Sequence, residues 1–286
     1  MANRRVIIFA HYNSRNIVSD YVLYHLVALK AVSDRLVFVT TSLVSEHDLV
    51  KLDNIVDNII QRENIGYDFF SYKAGIEEAM KGCFDELVIV NDSVYGPLKC
   101  LEELFQTMSG TADFWGITKS DLIETHLQSY FICFSKKVFM SGAFQSFWRD
   151  IKVQAEKLDI VRHHEVGLST TLIEEGFSFS AACDADLDFI KVFLRKIRRL
   201  KNIPLSQIIR KLLNRSSVEN LKVKNIDKSH LLWKELILEA NMPYLKVSLI
   251  RDNPLNINIR DYEDILVSNT DYPVNIIKKH LKEIGE

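Results

Sequence analysis

The order of secondary-structure signals along the first 110 residues is the feature that most constrains the fold of this chain. Short apolar runs rich in β-branched side chains alternate there with segments of helical periodicity. Strands are predicted at residues 4–11, 36–42, 58–64 and 86–90, and helices at 21–29, 69–80 and 101–108, with one more after Ser45 as its N-cap. Strands that alternate with helices of about ten residues are typical of a mostly parallel sheet flanked by helices. We therefore predict an α/β, Rossmann-type fold.

The pattern changes after Asp113. Two strand-like segments, residues 113–118 and 126–135, are separated by a short polar stretch, which predicts a paired or reversed strand. The later signals are helices at 137–157 and 165–175, the second closed by Gly176, a strand at 177–184, and amphipathic helices at 229–240 and 272–284. We predict an α/β domain over residues 1–190 and a basic, mainly helical extension over residues 191–286.

Charge is distributed unevenly, although the formal net charge is only −2. Residues 191–215 contain nine Lys or Arg and no Asp or Glu, interleaved with apolar side chains. This composition predicts a basic amphipathic surface that is attracted to anionic lipid headgroups, by about 1 kcal/mol per basic residue. The small net charge and the lack of a recognised binding motif argue against nucleic acid as a partner.

The cysteine spacing and the apolar runs bear on the compartment. The four cysteines are far apart and form no CxxC pair, which favours reduced thiols in a cytosol. The apolar run near the N-terminus is too short for a signal peptide, and no apolar run approaches the roughly 18 residues of a membrane span. We expect a cytoplasmic protein attached peripherally to the inner face of the plasma membrane.

The stretch ELVIVNDSVYGPL, residues 86–98, runs an apolar strand directly into Asn91-Asp92-Ser93. Ligand sites of open α/β sheets lie at the carboxyl ends of the strands, so Asp92 is expected at the rim of such a site. A carboxylate there suits Mg²⁺ or Mn²⁺, with Asp92 as the metal ligand. The alternative is that the three residues only form a turn. His11 and Tyr12, after the first strand, lie where a nucleotide base is received, although an aromatic side chain there is as often packing.

Glu165 falls in the first turn of the predicted helix 165–175, where the helix macrodipole favours an ionised carboxylate. Such a carboxylate can act as a general base, or it can simply stabilise the helix. His163 and His164 precede it and could cap the helix, contact a phosphate or contact an acceptor.

Several long motifs carry a family resemblance. Residues 62–98 read RENIGYDFFSYKAGIEEAMKGCFDELVIVNDSVYGPL, and further motifs are HYN at 11–13, DFWGIT at 113–118, HLQSYFICFSKKVF at 126–139 and EVGLSTTLIEEGF at 165–177. In these motifs, and in the segment 230–254, the chain resembles the rhamnan synthesis protein F family of bacterial polysaccharide glycosyltransferases. That family is similar to the GT-A architecture, in which a strand-terminal acidic motif meets a nucleoside diphosphate.

The resemblance implies an inverting glycosyltransferase that moves rhamnose from dTDP-rhamnose to a growing lipid-linked cell-surface polysaccharide. It implies that residues 1–190 bind the nucleotide sugar and that Glu165 deprotonates the acceptor hydroxyl. The donor-binding residues that it implies are His11, Tyr12, Tyr67, Asp68, Lys73, Asn91, Asp92 and Ser93. The candidates for the acceptor side are Trp115, His126, Gln128 and His164. Asp68 could instead cap its helix, and Lys73 could be a solvated side chain.

Two alternatives stay open at this point. The acidic motif of GT-A enzymes is commonly Asp-x-Asp, whereas this chain has one carboxylate in the triplet, which leaves the need for a divalent cation undecided. The donor could therefore be a different nucleotide sugar, such as a UDP-sugar, used with or without a metal. The chain could also be a non-catalytic nucleotide-sugar-binding or scaffold subunit of a polysaccharide assembly complex.

Overall fold

A computed structural model describes residues 3–121, 123–154, 156–183 and 227–285 of the chain. The boundary predicted between residues 190 and 191, and the basic segment 191–215, lie outside the described residues. Within the described ranges the predicted α/β class is confirmed, because a central, mostly parallel sheet carries helices on both faces.

The sheet holds the four parallel strands that the sequence predicts. In chain order, the strands of the described residues are β1 (Arg5–His11), β2 (Arg35–Thr40), β3 (Asn58–Gln61), β4 (Glu86–Asn91), β5 (Val94–Tyr95), β6 (Phe114–Ser120), β7 (His126–Leu127), β8 (Phe131–Ser135), β9 (Phe179–Cys183) and β10 (Leu245–Lys246). The predicted four are β1 to β4. The order in the sheet is β3-β2-β1-β4-β8-β6-β7, and β9 pairs with β6. Strand β8 runs antiparallel to β4 and β6, so it is the reversed strand predicted after Asp113.

The helices alternate with the strands in the first half of the chain and dominate the C-terminal part. They are α1 (Asp20–Ala31), α2 (Glu46–Leu52), α3 (Tyr67–Ala79), α4 (Leu101–Met108), α5 (Lys136–Phe139), α6 (Gly142–Asp150), α7 (Lys157–Ile160), α8 (Gly167–Glu174), α9 (Lys228–Leu231), α10 (Trp233–Glu239), α11 (Val247–Arg251), α12 (Tyr262–Asn269) and α13 (Asn275–Gly285). A π-helical segment, Val161–Val166, joins α7 to α8.

Strand β1 shows how the sequence builds the two faces of the sheet. Ile7 and Phe9 belong to one hydrophobic cluster, which they share with buried residues of α1, α4 and the C-terminal helices. Ile8 and Ala10 belong to a second cluster, formed with residues of α3, α6 and α8. Alternate side chains of a strand point to opposite faces, so a strand covered on both sides must be apolar throughout.

The helix predicted at 137–157 is divided in the structure. It forms two helices, α5 and α6, and α6 ends at Asp150. Ser141 marks the division, because its hydroxyl accepts a hydrogen bond from the backbone nitrogen of Phe144 at 3.2 Å and caps a new helix.

The described C-terminal residues pack onto the α/β part of the chain. Leu236, Leu249 and Ile277 are buried in the same cluster as Ile7. Strand β10 pairs antiparallel with β5, just after the Asn91-Asp92-Ser93 turn. Gly96 allows this approach, because a Cβ atom there would lie 2.5 Å from Cδ1 of Tyr244. The extension therefore contacts the segment that follows the predicted site.

In the parts of the chain that the structure describes, none of the helices is both long enough and apolar enough to span a bilayer. The four cysteines are free thiols, two of them exposed and two buried.

Candidate active site

The Asn91-Asp92-Ser93 segment is a turn in which Asn91 and Ser93 make the turn-forming bonds. Asn91 Oδ1 accepts a hydrogen bond from the Ser93 backbone nitrogen at 3.1 Å and from the Ser93 hydroxyl at 2.6 Å. Asp92 points elsewhere, and its Oδ2 accepts the backbone N–H of Tyr12 at 2.8 Å. Asn91 and Ser93 therefore form the turn that the alternative interpretation predicts. The carboxylate of Asp92 instead links the carboxyl end of β4 to that of β1 through its hydrogen bond with Tyr12.

Asp68 lies beside this turn, in the first turn of α3. Its Oδ2 accepts a hydrogen bond from Nδ2 of Asn91 at 2.9 Å. The chain enters α3 through two residues with left-handed backbone, Gly66 at φ 79° and Tyr67 at φ 55°. A Cβ atom on Gly66 would lie 2.3 Å from the ring of Phe70, so this tight entry requires glycine. The Asn91-Asp92-Ser93 triplet contains one carboxylate, and Asp68 on α3 supplies a second one beside it.

Replacing Gly66 with alanine should destabilise the protein by about 1–3 kcal/mol, because the left-handed backbone disfavours a Cβ and the Phe70 ring must move. Gly176→Ala is the matched control, since Gly176 also has a positive φ, 90°, but nothing lies within 4 Å of an added Cβ. Urea unfolding of both variants measures the difference. Equal losses would show that the contact with Phe70 contributes nothing.

Tyr72, on α3, connects the predicted site residues. Its hydroxyl donates to the carbonyl oxygen of Ser129 at 2.9 Å and also interacts with the side chain of Asn91. Burial raises the pKa of the Tyr72 phenol well above its usual value, and the negative charges of Asp68, Asp92 and Glu165 raise it further. The three carboxylates therefore all act electrostatically on one buried hydroxyl group.

Asp92 has an unusual environment for a carboxylate. Burial, and secondly the negative charge of Asp68, raise the pKa of Asp92 to about 8, although the N–H of Tyr12 opposes the shift. The two acidic groups are thus close enough to repel each other. Closely placed carboxylates with shifted pKa values are typical of sites that bind cations or move protons.

Glu165 is located differently from the sequence-based expectation. The helical structure begins at Lys157, and Glu165 lies near the end of the π-helical segment rather than in a first turn. The macrodipole argument for its ionised carboxylate is therefore wrong. Instead, Oε1 of Glu165 accepts the backbone N–H of Ser129 at 2.5 Å. The helix starts early because Ile160, His164 and Leu168, at helical spacing, are all buried.

His11 and Tyr12 occupy contrasting environments after β1. His11 is buried, its Nδ1 is 2.9 Å from the Thr40 hydroxyl, and its ring also hydrogen-bonds the backbone of Ile17. Burial lowers the pKa of His11 to about 4, so the ring is neutral. These contacts within the protein make His11 a support for the loop that carries Tyr12. The Tyr12 side chain, by contrast, is 51% exposed at the rim.

Two basic residues, Lys73 on α3 and Arg62 after β3, point in different directions. Lys73 donates to the carbonyl oxygen of Arg149 at 2.9 Å, which groups it with the end of α6 rather than with the carboxylates. Arg62 follows β3 and donates to the Ser71 hydroxyl at 3.1 Å and to the carbonyl oxygen of Ile65. Burial lowers the pKa of the Arg62 guanidinium, and the charge of Asp68 opposes that shift. Arg62 therefore places a positive charge near Asp68, at the carboxyl edge of the sheet.

The residues predicted for the acceptor side are mostly inside the protein. Trp115 packs in the core, with its ring 5.4 Å from that of Phe105. His126 is buried with Nδ1 2.7 Å from the Glu124 carbonyl oxygen, and His164 is buried with Nε2 2.9 Å from that of Lys152. These three side chains have structural contacts. Tyr67, which is predicted for the donor side, differs from them because the residue is 54% exposed beside Asp68.

Gln128 belongs to a polar network at the same edge. Its Oε1 accepts the Thr118 hydroxyl at 2.5 Å, and its Nε2 donates to Asp227 at 3.4 Å. The next residue, Ser129, hydrogen-bonds both Glu165 and Tyr72 through its backbone. The sequence analysis missed Tyr72, Arg62 and Ser129. Tyr72 is an aromatic residue on an apolar helix face, a pattern that predicts a core residue. Ser129 contributes through its backbone atoms, which any residue would provide.

The donor set fits a divalent cation in part. Asp68 and Asp92 offer carboxylate oxygens of the kind that Mg²⁺ and Mn²⁺ prefer, and a cation between them would relieve the repulsion that raises the pKa of Asp92. Among the described residues, no group of three or more His, Cys, Asp or Glu side chains is arranged to bind a metal ion. Water or phosphate oxygens would have to complete the coordination.

The fold and this edge define an α/β protein whose polar site lies at the carboxyl ends of its parallel strands. Residues 36–197 match the model of the rhamnan synthesis protein F family, and the chain belongs to that family.

Two relatives and one solved structure illustrate the similarity. The protein y4gN of Sinorhizobium fredii is 32% identical over 183 residues, which are 60% of this chain and 48% of y4gN, so the chain spans about half the length of that relative. The virulence protein VirA of Vibrio anguillarum is 27% identical over 261 residues, 86% of this chain and 80% of VirA. The nucleoside-diphosphate-sugar pyrophosphorylase of Vibrio cholerae RC9 aligns at 13% identity with a TM-score of 0.41, over 62% of this chain and 90% of that chain.

Proposed function

We propose that this chain is a glycosyltransferase that moves a sugar from a nucleoside diphosphate donor to a growing lipid-linked cell-surface polysaccharide. The observation that carries the proposal is the set of hydrogen bonds that holds Asp68, Asp92 and Glu165 at the edge where α/β proteins bind their ligands: Asn91 donates to Asp68, Tyr12 to Asp92 and Ser129 to Glu165. Membership of the rhamnan synthesis protein F family supports rhamnose, from dTDP-rhamnose, as the first donor to test.

The proposed reaction assigns the proton transfer to Glu165. Its carboxylate takes the proton of the acceptor hydroxyl, and the acceptor oxygen forms a bond to the anomeric carbon. The bond from that carbon to the diphosphate oxygen breaks, and the diphosphate leaves with the electron pair. Attack opposite to the leaving group inverts the configuration. The hydrogen bond from Ser129 to Oε1 fixes the orientation of the carboxylate.

The diphosphate gains charge as it leaves, and this charge has to be offset. When bound, a divalent cation would supply that stabilisation as a Lewis acid. Asp92 and Asp68 would hold it, because their oxygens are the acidic donor set at the end of β4. The guanidinium of Arg62 adds positive charge beside Asp68. Tyr12 and Tyr67 present exposed rings at the rim, where they can contact the base or the sugar.

A panel of nucleotide sugars tests the proposal. A ligand at 100 times its Kd should stabilise the fold by about 2.7 kcal/mol, so thermal shift identifies the donor. We expect dTDP-rhamnose to give the largest shift and to be transferred, or slowly hydrolysed, with a loss of turnover in EDTA if a metal takes part. A larger shift with a UDP-sugar would change the donor. Binding without transfer or hydrolysis would instead identify a scaffold subunit.

We further propose that residues 191–215 attach the protein to an anionic membrane surface, near the lipid-linked acceptor. The nine basic side chains in that segment carry the proposal. Cosedimentation with vesicles should increase with the fraction of anionic lipid and decrease with salt. Equal cosedimentation with neutral and anionic vesicles would contradict this attachment.

A further inference from the structure

The C-terminal extension brings a lysine to the edge of the candidate site. Lys246 lies on β10, opposite Val94 of β5, which is two residues beyond Asp92. The next backbone nitrogen, that of Val247, donates to the carbonyl oxygen of Ser93 at 2.9 Å. The position of Lys246 is therefore tied by main-chain hydrogen bonds to the turn that holds Asp92.

The side chain of Lys246 is held in one place. Its Nζ donates to Oδ2 of Asp227 at 2.6 Å and lies 5.5 Å from the centre of the Tyr130 ring. Asp227 also accepts the backbone nitrogen of Ser229 at 2.9 Å and the Ser229 hydroxyl at 2.6 Å. Burial alone would raise the pKa of Asp227, but the charge of Lys246 and these hydrogen bonds bring it well below the usual range. Asp227 is therefore a carboxylate that accepts the hydrogen bond of Lys246.

The ion pair and the carboxylates belong to the two faces of one edge. Gln128 donates to Asp227, and its neighbour Ser129 binds Glu165 and Tyr72 through the backbone. Tyr130 shares the hydrophobic cluster of the C-terminal helices, whereas Tyr72 belongs to the cluster on the opposite face. A ligand lying across the carboxyl ends of the strands would thus have Glu165 on one side and Lys246 on the other.

A lysine at the carboxyl edge of the sheet would offset the negative charge that accumulates there. Asp68, Asp92 and Glu165 are acidic, and a diphosphate adds more negative charge to the same place. A nearly buried ion pair contributes little net stability, so stability alone does not account for this one. The Lys246 side chain is 15% exposed, and an ammonium group has three donors, of which Asp227 takes one.

We propose that Lys246 binds the diphosphate of the nucleotide sugar, while Asp227 and Tyr130 hold its ammonium group at the edge of the sheet. This inference rests on the proposed function and assigns part of the donor site to the C-terminal extension. It gives the pairing of β10 with β5 a role, since that pairing places a cation beside the Asn91-Asp92-Ser93 turn.

Binding of dTDP and UDP, compared with thymidine and uridine, tests the assignment by calorimetry on the full chain. Lys246→Met should weaken diphosphate binding about 10- to 100-fold and leave nucleoside binding unchanged. Lys246→Arg should retain most of the affinity. Lys137→Met is the matched control, because Lys137 is paired with Asp113, at 2.9 Å, where β6 begins, at the opposite end of the sheet.

A double variant controls for misfolding caused by the unpaired charge of Asp227. Lys246→Met leaves Asp227 without its cation, whereas Lys246→Met combined with Asp227→Asn removes both charges and should bind diphosphate as weakly. Unchanged diphosphate affinity in either folded variant would overturn the role of Lys246 and leave the proposed function intact. A selective loss of diphosphate affinity in a chain that transfers no sugar would support Lys246 and overturn the transferase. A wild-type chain that binds no diphosphate would overturn both.

Discussion

Glu165→Gln is expected to lower turnover by about 10²- to 10⁴-fold and to leave donor affinity nearly unchanged. Glutamine has almost the same shape, and its side-chain oxygen can still accept the N–H of Ser129, which Oε1 of Glu165 accepts at 2.5 Å. The variant should therefore fold normally and lose only the ability to take a proton. Initial rates of sugar transfer, with donor Kd measured in parallel, check the expectation.

The control for this variant is Glu174→Gln. Glu174 is exposed at the end of α8, the helix that follows the π-helical segment, so the same chemical change there should not alter the rate. Wild-type turnover in Glu165→Gln would remove Glu165 from the mechanism. A parallel loss of donor binding would show that the residue contacts the donor instead of the acceptor.

The local periodicity of the sequence is sufficient to predict the framework of the fold. Helix α4 spans the predicted residues, and the Ser45 hydroxyl accepts the backbone nitrogen of Asp48 at 3.3 Å, as its capping pattern predicts. Strands β1, β2 and β4 are apolar on both faces, because helices cover both sides of the sheet. Signals of this kind depend only on residues that are close in sequence, so a single sequence is enough to identify them.

The parts that could not be predicted depend on contacts between distant segments. The pairing of β10 with β5 joins two-residue strands that have no periodicity of their own. The helix through Glu165 begins eight residues before the predicted start, at Lys157, since no capping residue marks that start. The site shows the same limit. Asp92 was a candidate from its position after β4, but its partner Asp68 is brought to it by the left-handed entry into α3.

In the metal-free protein, the Asp92 carboxyl is expected to contribute a loss of stability as the pH rises from about 4 to about 8. The folded state holds a proton on Asp92 up to a pKa of about 8, whereas an unfolded chain releases it near the ordinary value of 3.8. In that interval the folded state binds more protons than the unfolded state, so the free energy of unfolding falls with pH. The contribution of one carboxyl is at most about 1.4 kcal/mol per pH unit.

Asp92→Asn isolates this contribution. Asparagine keeps an acceptor for the N–H of Tyr12 but cannot ionise, so in EDTA the variant should be more stable than the wild type at pH 8, with the advantage shrinking towards pH 4. The buried histidines His11 and His25 titrate in the opposite sense, because burial lowers their pKa values to about 4 and about 3. Both proteins contain them, so the difference between the two profiles cancels their effect.

Asp68→Asn separates the two causes of the shift. It removes the like charge but not the burial, and burial is the larger cause, so the pH dependence should be reduced and not abolished. Unfolding followed by fluorescence from pH 4 to pH 8 measures all three proteins. Parallel profiles of wild type and Asp92→Asn would mean that Asp92 is ionised and solvated in the folded state. Mn²⁺ should restore the wild-type stability at pH 8 if Asp68 and Asp92 bind the cation together, because the metal then replaces the proton as the counter-charge.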